Sequence, residues 1–279
     1  MRIVVTGASG FLGQAVLNQL AHRDVQVIGV ARRPGPGLHS LAHYGQAPRA
    51  EVLVHLAQTN DRHLVNAVGA AHEAEMDATL VALLAAGPAR VVFGSSAVLY
   101  GDGADHAHGP DDPIHATDSY TRIKAAAERR VLGTAGVAGA VARLVNLYGP
   151  GMARGNVLSH ILAQIPGNGA LQVFDDSPVR DFLWIDDAAR ALVQMALGQA
   201  CGVFNVGTGA ATSIRQLAQT ALAAAGQADR AVRSTQPSAR ASHLVVDPSR
   251  TQQAFGWSAT TPLASGLRQL LSIPQHSTP

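Results

Sequence analysis

The chain contains one cysteine, Cys201, in 279 residues, so no internal disulfide can form and a cysteine-based metal site has no support. The lone thiol reads as a small buried hydrophobe. Charged residues make up only 14%, without the charge excess that marks disorder. Basic and acidic residues nearly balance, 21 against 19 for a formal charge of +2, and no basic stripe of the nucleic-acid-binding kind is present despite a pI near 9.0. Arg32-Arg33 is the short basic cluster to explain, and it suits an anionic small ligand. No apolar run reaches the ~20 residues that span a bilayer, and a strand-like run starts at Met1 without a charged leader and apolar core. A cytoplasmic protein with no nucleic-acid or membrane partner is expected.

What is present is a globular balance, 47% hydrophobic, enough for a sizeable core. Apolar runs at Arg2–Thr6, Val25–Val30, Glu51–Leu56, Ala89–Gly94 and Gly139–Leu144 alternate with Ala/Leu-rich helical stretches. Such alternation signals βαβ units and an α/β fold on a doubly wound parallel sheet. From about Tyr148 the turn clusters Gly149-Pro150-Gly151 and Pro166-Gly167-Asn168-Gly169 break the pattern, and a smaller lobe begins. Asp186 to Gly198 then reads as a helix and Gly202 to Val206 as a strand rejoining the main sheet. Two interleaved units result, 1–148 with 186–206 and 149–185 with 207–279. The polar tail after Ser272 reads as loosely ordered, and Trp184 and Trp257 as packing residues.

Thr6-Gly7-Ala8-Ser9-Gly10-Phe11-Leu12-Gly13 directly follows the first strand-like run. Glycines so placed allow a tight turn and bring backbone N–H groups to a pyrophosphate at the positive end of a helix. A dinucleotide is the expected ligand, and the unit 1–148 with 186–206 its Rossmann-type domain. An acidic residue near the end of the second strand takes an adenosine 2′-hydroxyl, whereas arginine accommodates a 2′-phosphate. Here the sequence reads Val30-Ala31-Arg32-Arg33, so NADP(H) is favoured and NAD(H) kept as the alternative.

Tyr120 and Lys124 are spaced to share one face of a helix. An adjacent cation favours phenolate, and the expectation is a tyrosine with its pKa lowered for proton transfer. A third member belongs at the carboxyl end of a central strand, where Val91-Val92-Phe93-Gly94-Ser95-Ser96 ends in two hydroxyls. Ser96 is preferred to Ser95. The twelve histidines invite a metal hypothesis, but His39/His43 and His106/His108 fall in Gly/Pro-rich loops without a matching carboxylate framework and read as surface residues. Asp111-Asp112 read as turn formers before Pro113.

With these residues in view the chain resembles the extended short-chain dehydrogenase/reductase family, in its nucleotide-sugar epimerase/dehydratase branch. Further matches are His55-Leu56-Ala57, Leu99-Tyr100-Gly101, Arg143 through Gly151, Arg180-Asp181-Phe182, Asn205-Val206-Gly207-x-Gly209 and Phe255-Gly256-Trp257. The resemblance implies Tyr120 as acid-base, Lys124 on the nicotinamide ribose and Ser96 on the reacting oxygen. It also implies cofactor contacts from Gly7, Ser9, Gly10, Phe11, Leu12, Gly13, Leu56, Ala57, Gln58 and Leu144. Asn146 and Arg180 match the residues that hold the substrate's diphosphate, which makes 149–185 with 207–279 the substrate-binding lobe.

Departures from the family pattern narrow the activity. Ala97-Val98 follow Ser96 where 4,6-dehydratases of the family have an acidic pair, and Ala31-Arg32-Arg33 replaces the acidic residue of members that keep NAD. Reduction of a keto group by NADPH, most naturally on a nucleotide-activated sugar, is the leading expectation. An epimerase with tightly bound NAD and a reductase of a non-sugar carbonyl are the rivals. Gln236-Pro237 stands where many members have a second diphosphate-binding arginine, leaving Arg233 or Arg240 as substitutes. Ala-rich helices around Ala70 to Ala86 and Tyr120 to Val131 suit a homodimer.

Overall fold

A central parallel sheet organises the chain in the computed structural model, which describes residues 1–59 and 61–273. Its first six strands in chain order are β1 (Arg2–Thr6), β2 (Gln26–Ala31), β3 (Leu38–Ser40), β4 (Val52–His55), β5 (Arg90–Ser96) and β6 (Ala138–Leu144). After β7 (Asn146–Tyr148), β8 (Leu171–Val173), β9 (Val179–Arg180) and β10 (Phe182–Trp184), the strand β11 (Gly202–Val206) returns beside β6. The order is β11-β6-β5-β4-β1-β2-β3. The helices are α1 (Phe11–Leu20), α2 (Arg62–Val68), α3 (Ala70–Ala85), α4 (Ser119–Gly133), α5 (Val157–Ala163), α6 (Ile185–Leu197), α7 (Ile214–Ala224), α8 (Ser249–Phe255) and α9 (Leu263–Ser272).

Alternation along each strand explains why both faces are covered. Ile3, Val5, Val54, Val92 and Ala140 pack with α1 and α6, whereas Val4, Leu53, Val91, Phe93 and Val141 pack with α3 and α4. Successive side chains point to opposite faces, so a run apolar at every position must be sandwiched. The first core continues into the later elements through Tyr148, Leu158, Leu171 and Trp257. There β7 pairs with β10, β8 with β13 (Val232–Ser234), and β9 with both β12 (Thr212–Ser213) and β14 (His243–Leu244).

The expected strands are found with ends displaced by a residue or two, and β5 continues through both serines. Strand β3 was not expected: it is a short edge strand with two of its three residues exposed, so it has no apolar run to read. Cys201 corrects another expectation, since it is exposed at the turn between α6 and β11. Both tryptophans are buried. Beyond Ile273, the tail read as loosely ordered lies outside the described residues. No helix among the described residues is long and apolar enough to cross a membrane.

Candidate active site

The carboxyl ends of β1, β2, β4, β5 and β6 converge on one crevice, as open α/β sheets require of their ligand sites. At β1, Gly7 has φ +72°, a left-handed conformation, and a Cβ there would stand 2.8 Å from the Leu56 carbonyl. A Cβ at Gly13 would collide with the Gly7 carbonyl. Glycine at both positions lets α1 begin tight against the loop, with Gly10 as its N-cap and no acidic residue in its first turn. The amides of Phe11, Leu12 and Gly13 therefore form an uncompensated positive helix end, suited to phosphate.

A cavity of about 180 Å³ opens from this loop, lined by Gly7, Ser9, Gly10, Arg32, Tyr44, Leu56, Ala57 and Gln58, with His43, Glu75 and Met76 across it. Half of the expected cofactor residues thus line one cavity, whereas Phe11, Leu12, Gly13, Tyr120, Lys124 and Leu144 do not line it. Gln58 Oε1 is buried without a hydrogen-bond partner, an orphaned acceptor that a ligand donor would satisfy. The residues fit a dinucleotide. Arg32 and Arg33 part company, since Arg32 lines the cavity with its guanidinium 6.0 Å from the Tyr44 ring centroid, and Arg33 does not line it. Glu75 is held by His72 at 3.3 Å. A larger concavity, about 740 Å³, lies around Met1, Gln26 and Glu51 at the amino ends of the strands, remote from these residues.

Register places Ser96 opposite Leu144 at the ends of β5 and β6. Helix α4 begins at Asp118, whose carboxylate caps the Thr121 amide while Thr121 Oγ1 caps the Asp118 amide. Asn66 Oδ1 accepts from the Tyr120 backbone N–H at 3.0 Å, so α2 clasps the same turn. Burial works to raise the Asp118 pKa, but hydrogen bonds from Thr121, Asn66 and Arg62 outweigh it and hold the carboxyl well below its ordinary value. Tyr120 and Lys124 project from one face of this helix.

Lys124 Nζ donates to the Gly94 carbonyl at 2.8 Å and lies 5.9 Å from the Tyr120 ring centroid. Burial lowers its pKa to about 8, against an opposing effect of Glu128. Burial raises the Tyr120 pKa, and the Ser96 hydroxyl, within interaction range, pulls the other way. The expected lowering by Lys124 is thus corrected: the ammonium is engaged by a carbonyl, and desolvation of the phenol dominates. Deeper still, His55 Nδ1 meets Thr6 Oγ1 at 2.7 Å, with its pKa lowered to about 3 by burial and by Lys124. His55 is therefore neutral and joins the ends of β1 and β4, a role that its sequence motif did not disclose.

Ser95 has a different task from Ser96. It donates to Glu128, whose carboxylate pairs with Arg143 at 2.7 Å in a buried bridge. The Arg143 guanidinium lies 4.7 Å from the Tyr100 ring, and Tyr100 donates to Asn205 at 2.7 Å. The residues of several sequence motifs thereby form one polar network behind the site.

Of the residues expected to hold a diphosphate, Asn146 donates through Nδ2 to the Asp181 carbonyl at 3.2 Å, next to Arg180. Arg180 donates to the carbonyls of Val179 and Ser242 and, at 2.7 Å, to Ser242 Oγ. Asp102 stands 3.6 Å from Arg180 and 2.6 Å from Arg240. Of the two substitutes for the missing arginine, Arg240 is thus the one gathered beside Arg180, whereas Arg233 lies in β13. Asp181 is fully buried and caps the amides of Thr208 and Gly209.

Of the two histidines read as surface residues, His106 is exposed, and the reading of His108 needs correction. His108 is buried, stacked on Tyr100 at 4.7 Å, and hydrogen-bonded through Nδ1 to Asp112 at 3.0 Å.

This geometry has counterparts. Residues 3–207 match the NAD dependent epimerase/dehydratase family, and the chain belongs to it, an enzyme of the extended short-chain dehydrogenase/reductase type. UDP-glucuronic acid decarboxylase 1 of Arabidopsis thaliana is 27% identical over 248 residues, 78% of this chain and 57% of that protein. The chain thus spans little more than half the length of such relatives. dTDP-6-deoxy-L-talose 4-dehydrogenase (NAD(P)(+)) of Kitasatospora kifunensis is 24% identical over 299 residues, 96% of this chain and 94% of that protein. The structure of RMD from Pseudomonas aeruginosa complexed with NADPH has a TM-score of 0.83 at 25% identity, covering 97% of each chain.

Proposed function

We propose that the protein is an NADPH-dependent reductase of a keto group on a nucleotide-activated sugar. The observation that carries the reading is Arg32, the cation at the end of β2, lining the glycine-loop cavity where an adenosine 2′-phosphate would stand. A relative named as an NAD(P)-dependent sugar dehydrogenase and a neighbour solved with NADPH support it. NADPH, when bound, supplies the hydride. The chain supplies the rest: Ser96 Oγ donates a hydrogen bond to the carbonyl oxygen, and Tyr120 Oη delivers the proton that completes the alcohol. The raised pKa keeps Tyr120 a phenol at neutral pH, which is the form a reductase needs. Lys124, held by Gly94, contributes positive charge beside the nicotinamide ribose. Arg180, Asn146 and Arg240 hold the diphosphate, with Arg240 in the role that Gln236 cannot fill. We further propose that 149–185 and 207–279 form the substrate lobe on a dinucleotide domain of 1–148 and 186–206, and that the protein is a cytoplasmic homodimer joined through α3 and α4.

The test is the cofactor state of the purified protein, then titration with NADPH and NADH. Exchangeable, NADPH-selective binding and stoichiometric NADPH consumption with a 4-keto sugar nucleotide are expected. Tightly retained NAD without net consumption would make the protein an epimerase. Tyr120→Phe should abolish turnover and leave NADPH binding intact; a fully active variant refutes the proton-donor role. Arg32→Ala should weaken NADPH by about 10- to 100-fold, the value of a charged hydrogen bond, and change NADH little. Equal losses for both cofactors refute the 2′-phosphate assignment.

A further inference from the structure

We propose that His106, His108 and Asp112 form a divalent transition-metal site, with zinc as the best-matched ion. The three residues lie in one short loop, and one ligand atom from each falls within 4.8 Å of the others. Asp112 Oδ2 stands 3.0 Å from His108 Nδ1 and 3.4 Å from His106 Nε2. Ligands bound tetrahedrally at about 2.0–2.2 Å from zinc are separated by about 3.3–3.6 Å, so modest movements seat an ion among these atoms. Two imidazoles and a carboxylate suit zinc and its late first-row neighbours, whereas magnesium and calcium select oxygen ligands.

Two observations beyond proximity favour an ion over a plain hydrogen-bonded cluster. First, the His108 ring is held in place: it stacks on Tyr100, its backbone N–H donates to Val245, and its carbonyl accepts from Asn205 and Asp247. That orientation presents Nδ1 to Asp112 and leaves the buried Nε2 without any hydrogen-bond partner. A ring so fixed is pre-organised to offer Nδ1 as a ligand, without first having to be ordered. Second, Asp105 Oδ1 lies 3.4 Å from His106 Nδ1, so a carboxylate orients this imidazole with Nε2 toward the cluster. A carboxylate behind a ligating histidine is the usual support of a metal site. His106 is exposed, which leaves water to complete the coordination.

The ion would act as a clamp. Pro110, within the same loop, accepts from Arg143, and Asp111 pairs with Arg250. The chain then runs on to Asp118, the cap of the helix bearing Tyr120 and Lys124. Fixing Asp112 to the two histidines would steady this border of the active site without taking part in the chemistry.

The experiment is calorimetric titration of EDTA-stripped, dialysed protein with zinc chloride, alongside thermal denaturation with and without zinc. Saturable binding of one zinc per chain and a raised Tm are expected. His106→Ala, a change at an exposed ring, should leave Tm in EDTA unaltered, weaken zinc by at least about tenfold and cancel the zinc-induced rise. Asp112→Asn should weaken zinc likewise, and His39→Ala should bind as the parent does. No saturable one-to-one binding in the parent, or unchanged zinc affinity in His106→Ala, overturns the site.

Discussion

Lys124 keeps a positive charge in a buried place, with the Gly94 carbonyl at 2.8 Å. Its folded pKa of about 8 lies below the ordinary 10.5, so the folded chain binds this proton less tightly than the unfolded chain. Below about pH 8 both states carry the proton and the burial penalty is present in full. Between about 8 and 10.5 the folded lysine becomes neutral while the unfolded one stays charged, so this group's contribution to stability improves as pH rises. The urea-derived unfolding free energy, measured from pH 7 to 10.5, should therefore rise more in the parent than in Lys124→Met. Parallel curves would show that the amine is not desolvated as described. The spacing of Tyr120 and Lys124 made their partnership legible, but not the direction of the tyrosine's shift. Sequence shows that two side chains share a helix face; it does not show that Nζ turns to a strand carbonyl or how deeply the phenol sits.

Helix α4 is the element on which the site depends, and its buried tie to the sheet is Glu128. This carboxylate receives Ser95 from β5 and Arg143 from β6. Both members of the ion pair are almost fully buried, with side-chain exposures of 6% and 5%. Removing one charge leaves the other uncompensated, so Glu128→Gln should destabilise the fold by about 3–5 kcal/mol in urea denaturation. A loss below about 1 kcal/mol would show that water reaches the bridge and screens it. The strands around this helix were legible because burial on both faces demands uninterrupted Val, Ile and Leu. Strand β3 was not, since an exposed edge imposes no such demand. His108 was misread for a related reason: its burial comes from Tyr100 and the distant β14 segment, which no local pattern connects to a Gly/Pro-rich loop.

Across the whole molecule, the late chain is pinned to the main sheet by Asp187 at the start of α6. Its carboxylate accepts from the Thr260 and Thr261 amides at 3.1 and 2.8 Å and pairs with Arg190. Asp187→Ala removes the buried acceptor of these part-buried amides and should cost about 1–3 kcal/mol, with proteolysis appearing first beyond Phe255. Unchanged protease resistance there would refute the pinning. The return of Gly202–Val206 to the sheet was legible as a strand, whereas this clasp, formed across more than seventy residues of sequence, was not. Lys124 has one more consequence, because it is the only lysine in the chain. With that amine buried, the native fold exposes no lysine to amine-reactive reagents. A label on lysine would accumulate only as the fold opens, turning mass spectrometry into a clock for exposure of Lys124.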